Sequence, residues 1–137
     1  MPRALTNLVD DDGRHAQPVF SFALVDRAFA GTWGWHLLNG DDATALINFM
    51  CEMARLSWPE IRRQRAGQHL RHHSQPIVSL HHDAQRQIEN LEYDDIAPEM
   101  FRFRLDGTAR LWGYEVGGVF HVVWWDPNHK VYETEPD

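Results

Sequence analysis

Cysteine is almost absent: Cys51 is the only one in 137 residues, which excludes an internal disulfide. Its place in an apolar helical pattern reads as a buried thiol rather than a nucleophile. No apolar run reaches the roughly 20 residues of a membrane-spanning helix, and the opening MPRALTNLVDDDGR lacks the apolar centre of a secretory leader. A cytoplasmic protein with no membrane partner is expected. Cysteine pairs and an HExxH pattern are missing, so no metal or other cofactor is expected from motifs. There is no internal repeat or low-complexity segment. Basic charge is in deficit, 13 Lys and Arg against 20 Asp and Glu, and the net charge of -7 argues against nucleic-acid binding through the overall field.

What is present suffices for one domain with its own core. The expected organisation is a loosely attached polar tail over residues 1–17, a single α+β domain over 18–132 and an acidic tail over 133–137. Charge is uneven. Residues 55–73 hold five arginines and three histidines against the single acid Glu60, whereas residues 83–99 hold six acids against Arg86. A local basic patch therefore survives the global count.

Residues 100–125 read as three antiparallel strands joined by two-residue turns at Asp106-Gly107 and Gly117-Gly118. That pairing sets Leu105 opposite Thr108, Phe103 opposite Arg110, Phe101 opposite Trp112, Tyr114 opposite His121 and Trp112 opposite Val123. Phe101, Phe103 and Leu105 then share a face with Arg110, Trp112 and Tyr114, and Arg102 and Arg104 take the other. Arginines on a sheet face serve either to bind an anion or as solvated charges that discourage edge pairing. His121, in mid-sheet against Tyr114, is either a structural hydrogen-bonding group or a proton carrier.

Upstream, residues 19–24 alternate as a first strand, and Trp33 and Trp35 share a side of an extended piece, as core or as a platform for bases. Apolar residues recur at helical spacing over 42–56. Ser57 to Glu60 forms a capping box that opens a second, surface helix over 58–66, bearing Arg62 and Arg63. On a helix, His69, His72 and His73 would share a face, with His81 and His82 able to add zinc ligands; a solvated loop or phosphate contact fits the same residues. A short strand over 76–80 and a third helix over 83–91 precede the hairpins. The expected architecture is α+β: an N-terminal strand, two to three helices, and a three-stranded meander whose sheet carries the helices on one face.

A strand, two helices and a three-stranded meander, with Arg102 and Arg104 on its first strand, Arg110 on its second and His129-Lys130-Val131-Tyr132 after its last, resembles the RelE/ParE superfamily of bacterial toxins. The stretch FRFRLDGTARLWGYEVGGVFHVVWWDPNHKVY also looks like a group of uncharacterised bacterial and phage-borne proteins sharing a WWDPxH element. The first resemblance implies a toxin of a toxin–antitoxin pair that cleaves messenger RNA on the ribosome without metal, or inhibits translation, with an antitoxin protein as partner. It implies catalytic roles for His129, Tyr132, Arg104, Arg102 and Lys130, with Arg110, His121, Arg62 and Arg63 binding substrate. Cleavage by the RNA's own 2′-hydroxyl needs a base, an acid and cations for the charge developing on phosphorus, and these side chains supply them. Asp126 to His129 also reads as a plain turn, opened by Asp-Pro. Two other classes stay open: a non-catalytic interaction or homodimerisation module of the same fold, suggested by six tryptophans and net acidity, and a metal-dependent enzyme using the histidines between His69 and His82.

Overall fold

The computed structural model describes residues 16–133. Most of the expected tail over 1–17 and of that over 133–137 lies outside them. Ala16 and Gln17 already belong to the fold: the Ala16 carbonyl accepts from Trp58 N at 3.1 Å, and Gln17 is buried with its amide donating to the Arg55 carbonyl.

The chain is mixed α+β, with three helices, a five-stranded sheet and a two-stranded sheet among the described residues. The order is β1 (Val19–Ser21), α1 (Gly40–Met53), α2 (Trp58–Arg63), β2 (Arg65–Ala66), β3 (His69–Leu70), β4 (His73–Pro76), α3 (His82–Asn90), β5 (Glu99–Arg104), β6 (Arg110–Val116) and β7 (Val119–Asp126). The main sheet runs β1-β7-β6-β5-β4, with β1 parallel to β7 and the other neighbours antiparallel. Among the described residues, no helix is long and apolar enough to cross a membrane.

Local chemistry sets the helix starts. Asn39 accepts from Asp42 N at 2.8 Å to open α1, and Ser57 and Glu60 exchange backbone bonds around Pro59 to open α2. The second helix ends at Arg63 rather than at residue 66, because the chain turns into a β2–β3 finger whose tip has Gly67 at φ 66. Residues 69 and 72–73 thus lie on or beside short strands, not on a helix. The expected strand over 76–80 is shifted as well: β4 ends at Pro76 and a 3₁₀ turn, Ile77–Ser79, follows. Cys51 is exposed on α1, not buried.

The second hairpin has the expected two-residue turn, with Gly117 and Gly118 at φ 60 and 86, and it pairs Tyr114 with His121. The first does not. The Asp106 carboxylate accepts from Thr108 N at 2.9 Å and Ala109 N at 2.8 Å, and Leu105 N donates to the Ala109 carbonyl, so the loop holds three residues. Pairing slips by one: Phe103 meets Leu111, Arg102 meets Trp112 and Arg104 meets Arg110. In β7, Trp112 pairs with Trp124 and Gly113 with Val122, leaving Val123 as the extra residue of a bulge.

The slip sorts the faces. One buries Phe101, Phe103, Leu111, Phe120, Val122 and Trp125 against α1 and α2 through Leu46, Phe49, Met53, Trp58 and Ile61. The other buries Met100, Trp112, Tyr114, Val123 and Trp124 against Ala84 and Ile88 of α3, Trp33 and Val131. Helices therefore pack on both faces, not on one, because both are largely apolar. Trp33 is core, stacked on Phe29 at 4.5 Å, and Trp35 donates to the Val123 carbonyl. Where β1 ends, Asp26 N and Gly34 N continue along β7 by donating to the carbonyls of Val123 and Trp125.

Two outcomes follow. A Cβ on Gly113 would fall on the His121 carbonyl oxygen and 2.7 Å from Phe120 Cζ, so Gly113→Ala should lower unfolding free energy by about 1–3 kcal/mol in chemical denaturation. Buried His72 accepts from Arg104 N on Nδ1 and contacts Gln64 Oε1 at 2.9 Å on Nε2. Burial, then the charges of Arg71 and Arg102, push its pKa down from 6.5 to about 3. Below pH 6.5 the unfolded chain takes a proton that the folded ring refuses, so this stability is present above that pH and is lost as pH falls towards 3. His72→Asn, which keeps an acceptor for Arg104 N, should show a shallower fall in thermal midpoint between about pH 7 and 4.

Candidate functional site

The same register that buries the phenylalanines sets Arg102, Arg104 and Arg110 on the opposite face, towards the end of the sheet where β5 stops and β6 starts. Arg110 is fully buried, its guanidinium donating to the carbonyls of Asp106 at 2.9 Å and Ala109 at 3.2 Å, so it braces the three-residue loop. Arg102 is 1% exposed and donates to the Arg71 carbonyl. Arg104 is half-buried and donates from Nε to the Asp106 carbonyl at 3.1 Å. Desolvation, then repulsion from Arg110 and Arg104, brings the Arg102 pKa down to about 9. The neighbouring guanidinium groups thus act on one another, and the carboxylates of Asp106 and Asp126 act on Arg110.

Asp126 completes this end. It is the cross-strand partner of Arg110 and is fully buried. Its carboxylate accepts from Lys130 N at 2.9 Å, Val131 N at 3.0 Å and Trp112 Nε1 at 3.3 Å. Burial raises its pKa, while these donors and Arg110 oppose the rise. The turn it caps forces His129 to φ 58, an uncommon conformation for a residue with a Cβ. His129, Lys130 and Tyr132 are half-buried, and the Val131 carbonyl ties the turn to α3 by accepting from His81 N at 2.8 Å. Lys130 is the only lysine in the chain.

The expected site residues divide. Arg102, Arg104, Arg110, His129 and Lys130 gather at one end of the sheet, and Tyr132, half-buried, packs against the edge of the core on the same face. His121 shares that face but lies five residues back along β7, about 16 Å away at strand spacing. Its Nδ1 and the Tyr114 hydroxyl are buried without hydrogen-bond partners among the described residues. Burial, helped by Tyr93 and Asp94, pushes Tyr114 up to about 12. Arg62 and Arg63 belong to the opposite face: Arg62 pairs with Glu115 at 2.8 Å and lies over the Trp58 and Phe101 rings, and Arg63 is exposed.

Two residues of the site take roles that the sequence had left open. His73 is the cross-strand partner of Arg102, and its pKa is lowered by burial and then by that arginine. Asp126, expected only to open a turn, holds the whole C-terminal segment. The histidine cluster does not assemble: strand alternation sends His72 to Phe49 and Phe103 and His73 to the arginine face. His81, His82 and Asp83 do bring ligand atoms within 4.8 Å of one another, but His81 Nδ1 already accepts from Asp83 N at 3.0 Å to cap α3. No protein-family model, curated protein or solved structure matches the chain.

Asp126→Ala should leave Trp112 Nε1 and the two turn amides without their acceptor, costing about 1–3 kcal/mol. Hydrogen exchange should speed at Lys130 and Val131 and stay slow in α1; unchanged exchange at both would contradict the capping role.

Proposed function

We propose that the arginine-bearing end of the sheet grips an RNA phosphodiester, and that the protein is a RelE-like endoribonuclease or translation inhibitor of a toxin–antitoxin pair. The observation that carries this reading is the shared face and shared sheet end of Arg102, Arg104 and Arg110, with the turn of His129 and Lys130 beside them. The net charge of -7 does not oppose it. Fixed charges farther off than about 8 Å are largely screened at physiological ionic strength, so the nearby guanidinium groups prevail.

Roles follow from exposure. Arg102 and Arg110 are buried and occupied with carbonyls, so they supply field and support the loop. Arg104, Lys130 and His129 are partly exposed, and we assign to them the contacts with a phosphate or a hydroxyl. In cleavage, His129 takes the proton of the 2′-hydroxyl, O2′ bonds to phosphorus, and the P–O5′ bond breaks. The departing 5′-oxygen is protonated by Tyr132 or by the imidazolium just formed, leaving a 2′,3′-cyclic phosphate and a 5′-hydroxyl. Arg104 and Lys130 balance the added negative charge. The ribosome and an antitoxin belong to this reading as partners.

A second reading, an interaction or homodimerisation module, is favoured by an apolar cleft of about 240 Å³ between α1 and the segment after β1. Phe22 and Ile47, 58% and 56% exposed, stand on its rim.

Fluorescence anisotropy with a labelled single-stranded RNA separates the two. Binding should weaken with salt, and Arg104→Ala should weaken it about tenfold, equivalent to about 1.4 kcal/mol. Arg62→Ala, on the other face, should leave it unchanged. Expression in bacteria should arrest growth, and His129→Ala should relieve the arrest. Healthy growth together with no RNA binding would leave the module reading.

A further inference from the structure

From Ile61 to His82 the chain carries no carboxylate, and four arginines and five histidines fall in those 22 residues of a protein whose net charge is -7. The β2–β3 finger lies within this stretch, pairing Arg65 with Leu70 and Ala66 with His69. Its base is closed by Arg71 N donating to the Gln64 carbonyl at 2.8 Å. Arg71 then fixes that base to the arginine end of the sheet, its Nε donating to the Arg104 carbonyl at 3.0 Å and Nη2 to that of Leu105 at 3.3 Å. The finger therefore stands beside Arg104, and Arg65 and His69 on it are exposed, as is Arg63 just before its base. On the chain's return, His73 sits against Arg102.

We infer that this finger is a second contact for single-stranded RNA, which passes over its tip so that Arg65 on one face of the ribbon and His69 on the other hold successive phosphates beyond the one gripped at Arg104. The inference rests on the reading above and names the form of its substrate. Gly67 lies three residues beyond Gln64, so the tip reaches about 10 Å past the base at strand spacing. A strand laid from Arg104 to the tip spans several nucleotides, so recognition needs a run of RNA rather than one phosphodiester. An exposed cationic finger without carboxylates has no internal counter-charge to release first, so its contribution appears as salt-dependent affinity.

The experiment is a length series: a dinucleotide and a single-stranded RNA of about eight nucleotides, a usual site size, titrated into wild type and Arg65→Ala/His69→Ala. Both side chains are exposed, so the thermal midpoint should not move. Wild type should bind the longer RNA at least tenfold more tightly than the dinucleotide. The double variant should forfeit most of that advantage, with the salt slope falling by about 0.7 for each phosphate no longer neutralised, while dinucleotide binding stays intact. RNA binding whose length dependence ignores the variant would overturn the finger alone. No binding of either RNA would overturn the finger and the phosphodiester reading together. Equal, variant-sensitive binding of a poly-aspartate peptide would assign the finger to an acidic protein instead.

Discussion

One carboxylate sets the arrangement of this molecule. Asp106 accepts from the amides of Thr108 and Ala109, and the resulting three-residue loop fixes how β5 lies against β6. The hydrogen bond with Ala109 is the main reason its pKa is held below the usual carboxylate value. Such a local bond contributes only about 1 kcal/mol, against roughly 1.5–3 kcal/mol for each large apolar side chain buried. It prevails because it agrees with burial. In the register of a two-residue loop, Arg110 would be driven among Phe49, Trp58 and Phe103, whereas the observed one sends Leu111 there. Because side-chain direction repeats every second residue, one slip decides the whole face. The grouping of the arginines is thus a by-product of core formation that a ligand site can use.

A second device recurs at two places. Asp26 and Asp126 are both buried, and each accepts from a tryptophan indole N–H and two backbone amides. Asp26 also takes the Gln87 amide at 3.0 Å, so it links the segment after β1 to α3 and to Trp124. Asp126 does the same for the segment after β7 through Trp112. Trp124, Trp125 and Asp126 are therefore best understood together: Trp124 binds one aspartate, Trp125 fills the opposite core, and Asp126 anchors the turn that presents His129 and Lys130.

How far the sequence could be read depended on whether the deciding interaction was local. The caps at Asn39 and Ser57 and the Gly117-Gly118 turn act within four residues, and their helices and hairpin were legible. Asp106-Gly107 was not, since the same pair suits a two-residue turn, and the choice depends on which face finds an apolar partner. Alternation separated His72 from His73 once that stretch was extended, but nothing near them signals a strand beside β5. The clustering of Arg102, Arg104 and Arg110 was half visible: the residues could be named, but not their common face. Burial of Asp26 and Asp126 depends on indole groups about 98 and 14 residues away in the chain, beyond any local pattern.

Core packing and a carboxylate-capped loop gather guanidinium groups at one end of the sheet, where we propose that an RNA phosphate binds. Backbone amide chemical shifts followed by NMR during titration with a short single-stranded RNA test it most directly. The account predicts that shifts concentrate at Arg102 to Arg104, Arg110 to Trp112 and Asp126 to Lys130, while the amides of α1 stay still. Shifts confined to α1 and α2, or none at RNA concentrations far above those that saturate typical single-strand binders, would contradict it.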